Sequence, residues 1–476
     1  MKNAAFNPYL APWEYIPDGE PKVFGDRVYL FGSHDEAGGT RYCTGDYVCW
    51  SAAADDLSSW QYEGVIYCHG QDPDDPEGTQ AFYAPDVVQG LDGRYYLYYT
   101  LDYTYHISVA VCDTPAGQYE YYGTIKSVEG GRLETELPYD PAVLVDGGRI
   151  WLYYGFCPTF KMTHMPEIPK TSGCLCVELA ADMLTCLAQP HCIAPNKANA
   201  VETPWEGHAF FEAASMRLMD GTYYLVYCSE HSHELCYATS LKPDSEFVYG
   251  GVLVSNGDIG YQGRLAQNAR NAYANIHGGM AMLKDELYIF YHRHTHGTQF
   301  SRQGCAERLQ IAQDGSFEQA EMTSFGLMGG EKPAIGTLPS WCACNLYKGD
   351  GAKAIRFGPP NVDGPYLVTD PEERQGGKAI AYLSNITDDC VIGFRYLHFS
   401  GEEQHSILII RGKGEGVFTA YADDAMMIPI GSAPVKIDGD QWQQVTLVLS
   451  PKAGKYPFLL HYKGNGILQL DWVDIQ

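Results

Sequence analysis

Five times along this chain a short β-prone run, a tight turn and a second run rich in aromatics follow one another in the same order. In four copies the landmarks keep one spacing. From Ala84 (APDVVQGLDGRYYLYY) to Tyr95, from Asp140 (DPAVLVDGGRIWLYY) to Trp151, from Glu212 (EAASMRLMDGTYYLVY) to Tyr223 and from His277 (HGGMAMLKDELYIFY) to Tyr288, the step is eleven residues. A fifth copy, EPKVFGDRVYLF, opens at Glu20 with a turn two residues shorter, so that Tyr29 comes nine residues on. Two β-rich runs around an Asp-Gly or Gly-Asp turn are a hairpin signal. Hairpins recurring roughly 55–75 residues apart fit a propeller with lengthened loops. The spacing predicts five blades, with the first residue of each inner strand near the axis: Glu20, Ala84, Asp140, Glu212 and His277. Three carboxylates and a histidine converging on one funnel point to chemistry, since buried charge of one sign is costly unless it is used.

The ordered set of short motifs resembles glycoside hydrolase family 43, the five-bladed propellers that cleave arabinosides and xylosides with inversion. Glu20-Pro21 stands where that family has a carboxylate before proline, Asp140-Pro141 where it has an Asp-Pro, and Glu212 where it has a Glu. Tyr83-Ala84-Pro85 matches a W-A-P motif, and His277-Gly278, Tyr291-His292 and Arg302 match the fifth blade. The resemblance covers about the first two-thirds of the chain. It implies an α-L-arabinofuranosidase first, a β-D-xylosidase or an exo-galactanase-like enzyme next, acting on plant-type oligosaccharides. It also implies that His277 ligates a structural calcium near the propeller axis, with no cofactor required for the chemistry.

Inverting hydrolysis needs one protonated carboxyl to give its proton to the leaving oxygen and one ionised carboxylate to activate water on the opposite face. Glu212 is the candidate acid, because Phe210-Phe211 before it and Ala213-Ala214 after it supply an apolar setting that raises a carboxyl pKa. Asp140 is the supporting carboxylate that keeps Glu212 protonated. Glu20 is the candidate base, with Asp18 or Asp35 as alternatives. Tyr83, His277, Arg302 and Asp35 are the expected substrate-binding residues. A Glu where the family has Asp also motivates a second reading, a propeller that binds glycans without cleaving them.

The remaining third reads differently. Near Met322 the composition shifts, and FGLMGGEKPAIGTLPS is rich in Gly and Pro. The expected organisation is a catalytic propeller over 1–325, a linker over 326–345 and a β-sandwich over 346–476. Seven alternating runs, from AIAYLS to ILQLDWVDIQ, suggest that sandwich, of jelly-roll type. It resembles family 6-like carbohydrate-binding modules, with Trp442 and Trp472 as candidates for stacking on sugar. The fold class expected is thus all-β, a five-bladed propeller followed by a C-terminal sandwich.

A formal charge of −27 argues against nucleic acid or an anionic membrane as partner and suits a neutral oligosaccharide. No run of eighteen apolar residues occurs, and MKNAAFNPYLAPWEY lacks an apolar leader core. Fifteen cysteines, an odd number without a regular framework, suggest reduced thiols and a cytoplasmic location.

Overall fold

The computed structural model describes residues 5–102, 104–162, 165, 167–375 and 378–476, with backbone alone for 371–375 and 378–380. Five antiparallel sheets follow one another along the first two-thirds of the chain. Blade one holds β1 (Glu20–Phe24), β2 (Arg27–Phe31), β3 (Tyr47–Ala53) and β4 (Asp56–Tyr67). Blade two holds β5 (Phe82–Gln89), β6 (Tyr95–Leu101), β7 (Ile107–Cys112) and β8 (Glu120–Thr124). Blade three holds β9 (Ala142–Asp146), β10 (Arg149–Tyr154), β11 (Gly173–Leu179) and β12 (His191–Pro195). Blade four holds β13 (Phe210–Met219), β14 (Thr222–Ser229), β15 (Glu234–Ser240) and β16 (Val248–Ser255). Blade five holds β17 (Met280–Leu283), β18 (Glu286–His294) and β19 (Arg302–Arg308). The five-bladed propeller expected from the eleven-residue spacing is present.

The hairpins form for the reasons their sequences suggest. In β9–β10, Asp146 pairs with Arg149 across Gly147 and Gly148, at φ 56° and 82°. Both glycines take the positive φ that a two-residue hairpin turn demands. The second strand of each blade is covered on both faces by neighbouring blades, so it reads as a continuous apolar run rather than an alternating one. All of β6 after Tyr95 is buried, and all of β10 after Arg149. Tyr98 of β6 packs with Val143 and Leu152 of blade three, and Phe31 and Tyr47 of blade one pack with Leu97 and Tyr99 of blade two. Each such side chain stabilises by about 1.5–3 kcal/mol on full burial. Val28 and Leu30 meet Tyr288 and Phe290 in one cluster, which closes the ring between first and last blades.

The N-terminal arm, from residue 5, lies along blade five. Asn7 donates from Nδ2 to Ala306 O at 2.9 Å and accepts from Ala306 N–H at 3.0 Å, and Tyr9 N–H donates to Gly304 O at 3.1 Å. The segment 157–170 is an irregular connection between β10 and β11, and its residues 163, 164 and 166 lie outside the described ones.

After a small hairpin, β20 (Gln310–Ile311) and β21 (Phe317–Glu318), the chain enters a nine-stranded sheet system. Its members are β22 (Lys332–Pro333), β23 (Gly336–Pro339), β24 (Asn345–Lys348), β25 (Tyr366–Gln375), β26 (Lys378–Ile386), β27 (Cys390–Phe399), β28 (His405–Tyr421), β29 (Pro429–Leu449) and β30 (Gly454–Ile475). They surround one core that includes Phe394, Leu408, Phe418 and Leu460.

Two sequence expectations need correction here. The segment 326–345 is not a free linker. Within it β22 runs parallel to β27 and β23 pairs with β30 through Leu338 and Val473, both fully buried. Its prolines suggested a linker, but Pro333 and Pro339 end their short strands, where a missing N–H costs little. The runs SILIIRG and GVFTAYA are also one strand, β28, and PFLLHYKG and ILQLDWVDIQ are one strand, β30. The intervening glycines mark close approach rather than turns. A Cβ on Gly416 would meet Lys463 O at 2.3 Å, and one on Gly464 would meet Glu415 O at 2.5 Å. Neither tryptophan offers an open platform. Trp442 is half-buried beneath the Arg411 guanidinium, 4.3 Å from its ring, and Trp472 is half-buried in β30, paired with Pro339 and Ile409.

Candidate active site

A cavity of about 900 Å³ opens at the funnel of the propeller. Ala84, Asp140, Glu212 and His277, four of the five residues expected near the axis, line it. The fifth lining position belongs to Asp18, not Glu20. Backbone strain marks the same places. Asp18, Asp140 and Ala213 have φ of 57°, 47° and 65°, a region costly for residues with a Cβ and characteristic of functional sites. Glu212 sits between two register shifts in the β13–β14 ladder, so the strand bulges where its carboxyl meets the cavity.

Asp18 is held ready from the last blade. Its Oδ1 accepts a hydrogen bond from Arg302 Nη1 at 3.1 Å, and its backbone N–H donates to His292 Nδ1 at 3.2 Å. His292 Nδ1 therefore acts as an acceptor, and Nε2 donates to Asn275 O at 2.9 Å. Burial first, and the Arg302 charge second, hold this imidazole well below its ordinary pKa, so it is neutral.

Glu20 is turned into a different network, which corrects its expected place in the site. Its side chain is 2% exposed, and Oε2 accepts from Arg217 Nη2 at 2.5 Å. Burial would raise its pKa, but Arg217, Lys22 and His277 together draw it below the usual carboxylate range. Asp35 is likewise behind the cavity wall rather than on it. It clamps Arg302 as a bidentate fork, Nε to Oδ2 at 2.8 Å and Nη2 to Oδ1 at 3.0 Å, and also accepts from Cys43 N–H at 2.9 Å. Asp35 thus fixes the guanidinium that fixes Asp18; a substrate does not reach it. Arg302 itself lines the cavity, with Tyr42 stacked at 4.7 Å.

On the opposite side the setting is apolar. Tyr83, Tyr139, Phe156 and Phe211 form a chain of rings with centroids 5.4, 5.2 and 5.4 Å apart. Among the described residues no hydrogen bond reaches the Glu212 carboxyl. Burial, then the negative charge of Asp18, push its pKa up to about 8 against the opposing pull of Arg302. Asp140 is also raised, by burial first, while His277, whose Nδ1 lies 3.8 Å from Oδ2, pulls the other way. Asp140 Oδ2 accepts from Ala213 N–H at 3.0 Å. That bond favours its ionised form but does not offset burial, and Asp140 is pushed up to about 8, like Glu212.

His277 has no ligand cage around it. Calcium takes six to eight oxygens, and among the described residues the only grouping of three metal-ligating side chains lies elsewhere. An ion at His277 would have one imidazole from the protein and water for the rest of its shell.

Several wall residues carry no sequence signal. Tyr42, Phe300 and Phe357 cluster with centroids 4.8 to 6.1 Å apart. Ala354, Ile355 and Phe357 arrive from beyond the propeller, pinned where Gln299 Nε2 donates to Ile355 O at 2.6 Å and Ile355 N–H to Tyr273 O at 2.9 Å. His231, Ser232 and His233, on the turn after β14, complete the rim.

The family model described as "Glycosyl hydrolases family 43" matches residues 15–317. A curated relative from Thermoclostridium stercorarium, named "Xylosidase/arabinosidase", is 42% identical over 478 residues, covering 99% of this chain and 98% of that one. Among solved structures, a family 43 arabinoxylan arabinofuranohydrolase from Bacillus subtilis, in complex with cellotetraose, shares the fold with a TM-score of 0.52. It is 18% identical and covers 100% of this chain and 99% of that one. A family 43 enzyme from Xanthomonas citri complexed with xylose has a TM-score of 0.52 and 24% identity, covering 69% of this chain and 96% of that one.

Proposed function

The chain belongs to glycosyl hydrolases family 43, and we propose that it releases single pentosyl residues from oligosaccharides, with inversion at the anomeric carbon. The observation that carries this reading is the meeting of Asp18, Asp140 and Glu212, from three different blades, in one aromatic-walled cavity. Glu212, holding its proton, gives it to the glycosidic oxygen as the C1–O bond breaks. Water attacks C1 from the other face, and Asp18, oriented by Arg302 Nη1, takes its proton. Inversion follows when the two carboxyls lie about 6.5–9.5 Å apart with water between. Asp140 is a positioning residue, since its bond to Ala213 N–H fixes the backbone beside the acid. No step runs through a metal; a calcium at His277 would be held mainly through water.

The sugar proposed is α-L-arabinofuranose first and β-D-xylose second, supported by the double name of the relative that is 42% identical. Exo action is part of the same proposal, with Ala354, Ile355 and Phe357 adding to the cavity lining from beyond the propeller. The glycan-binding reading rested on Glu20 as base, and Asp18 in the cavity removes its motive. A panel of 4-nitrophenyl arabinofuranoside, xyloside and galactoside tests the proposal. Turnover of the first two is expected; turnover of the galactoside alone would overturn the choice of sugar.

A further inference from the structure

One cluster of ligating side chains plays no part in the chemistry above. His208, His231 and Glu234 each offer a ligand atom, all within 4.8 Å of one another. Glu234 opens β15 and is buried. Its Oε1 accepts from Ser229 Oγ at 2.6 Å and lies 2.7 Å from His208 Nδ1. The Cys236 thiol is 3.9 Å from the same nitrogen. His208 is half-buried, its ring stacked on Tyr249 with centroids 5.2 Å apart and planes 11° from parallel. His231 is on the turn between β14 and β15, its ring 5.9 Å from that of His208.

A plain reading makes His208–Glu234 a hydrogen-bonded pair that holds the turn. That pair needs no third group, yet a second imidazole stands beside it on a turn that also lines the sugar cavity. Two imidazoles and a carboxylate are the donor set of zinc and its first-row neighbours, and a poor set for calcium. Ligands about 2.0–2.2 Å from one tetrahedral ion stand about 3.3–3.6 Å apart, so His208 Nδ1 and Glu234 Oε1, 2.7 Å apart, need to part by less than about 1 Å to admit it. We propose that His208, His231 and Glu234 bind a divalent transition ion of the zinc class at the rim of the cavity. The ion displaces the proton between His208 Nδ1 and Glu234 Oε1, which passes to solvent. It draws His231 inward and so fastens the turn 230–233. His233 rides on that turn, its ring 5.9 Å from that of His231 and 5.4 Å from that of Tyr273 on the cavity wall.

The test uses the full chain, stripped with chelator and titrated with zinc chloride by calorimetry, then with cobalt(II) followed in the visible. One equivalent of zinc is expected, with the absorption of a low-coordinate cobalt(II) site. His231→Ala and His208→Ala are each expected to weaken binding at least about tenfold, with circular dichroism confirming the fold. His191→Ala, an exposed histidine on β12, is expected to change nothing. Absence of a zinc equivalent in the wild type would overturn the proposal. So would undiminished affinity in His231→Ala, or binding lost in His277→Ala and kept in His231→Ala, which would put the ion on the axis.

Discussion

Replacing Asp18 by Asn and Glu20 by Gln separates two carboxylates that stand two residues apart in sequence and do different work. Asp18→Asn keeps an oxygen for Arg302 Nη1 and removes only basicity. Loss of a general base costs about 10²–10⁴-fold in rate, or roughly 3–5 kcal/mol of barrier at 1.36 kcal/mol per decade. Both natural and aryl substrates lose it, because water must be activated for each. Glu20→Gln instead neutralises one end of a buried pair. Arg217 keeps its bonds to Met280 O at 2.8 Å and Pro21 O at 3.0 Å, so its charge is not stranded. A charge-assisted hydrogen bond is worth about 1.5–3 kcal/mol, and Arg217 is 15% exposed, which trims the loss only slightly. At roughly 2–4 °C per kcal/mol for a large domain, Glu20→Gln is expected to melt about 4–10 °C lower with near-normal turnover. Asp18→Asn is expected to melt near the wild-type temperature and to turn over slowly. Initial rates on an aryl glycoside, with differential scanning calorimetry on the same samples, decide the matter. A Glu20→Gln enzyme slowed a hundredfold beside an active Asp18→Asn enzyme would refute the assignment of the base.

Glu212→Ala is expected to abolish cleavage of oligosaccharides while sparing aryl glycosides whose phenol leaves unaided, and proton NMR of the wild-type reaction is expected to show the inverted anomer first. Since Glu212 acts protonated and its pKa is pushed up to about 8, activity is expected to fall as pH rises through that value. Asp140 is pushed up to about 8 as well, so Asp140→Asn takes one of two neighbouring groups out of that range, and the alkaline limb of the pH–rate profile is expected to become that of a single ionisation. Phe357→Ala deletes a 68% exposed ring packed near Tyr42 and Phe300, and is expected to raise KM about 3–10-fold, some 0.7–1.4 kcal/mol, with kcat little changed. We propose a cytoplasmic location on the odd, unframed cysteine count. All fifteen thiols are expected to titrate after unfolding without reductant, and native disulfides found by mass spectrometry would count against that location.

The propeller was legible because its signal is a spacing, and the same spacing locates the proposed base. Eleven residues before Tyr29 stands Asp18, as Ala84, Asp140, Glu212 and His277 stand eleven before their aromatics. The ladders agree. Lys22, four past Asp18, pairs with Tyr29, just as Leu144, four past Asp140, pairs with Trp151 and Ala281, four past His277, with Tyr288. Choosing Glu20 for its following proline broke that register and required a shortened turn that the hairpin does not have. Glu20-Pro21 instead begins β1, where Pro21 can occupy the edge of the blade without losing a needed bond.

What no local pattern could show is how the ring gives each carboxyl its surroundings. Asp18 comes from the first blade, yet its carboxylate is held by Arg302, which lies 284 residues away and is itself fixed by Asp35. Closure of the first blade on the last makes that contact, so Asp18 meets its cation only after the propeller is complete. Glu212 shares the cavity wall with Phe156 and Phe211, and the backbone beside it is tied to Asp140, 73 residues earlier. The seam between first and last blades nevertheless reaches both carboxyls, since Arg302 bonds Asp18 and its charge also pulls against the raised pKa of Glu212. Arg302→Met tests this directly. It removes the cation that bonds Asp18 Oδ1 and keeps an unbranched side chain in the wall. The same change withdraws the positive charge that lowers Glu212, so the alkaline limb should rise. An alkaline limb left where it stands in the wild type would show that Arg302 serves the sugar and not the acid.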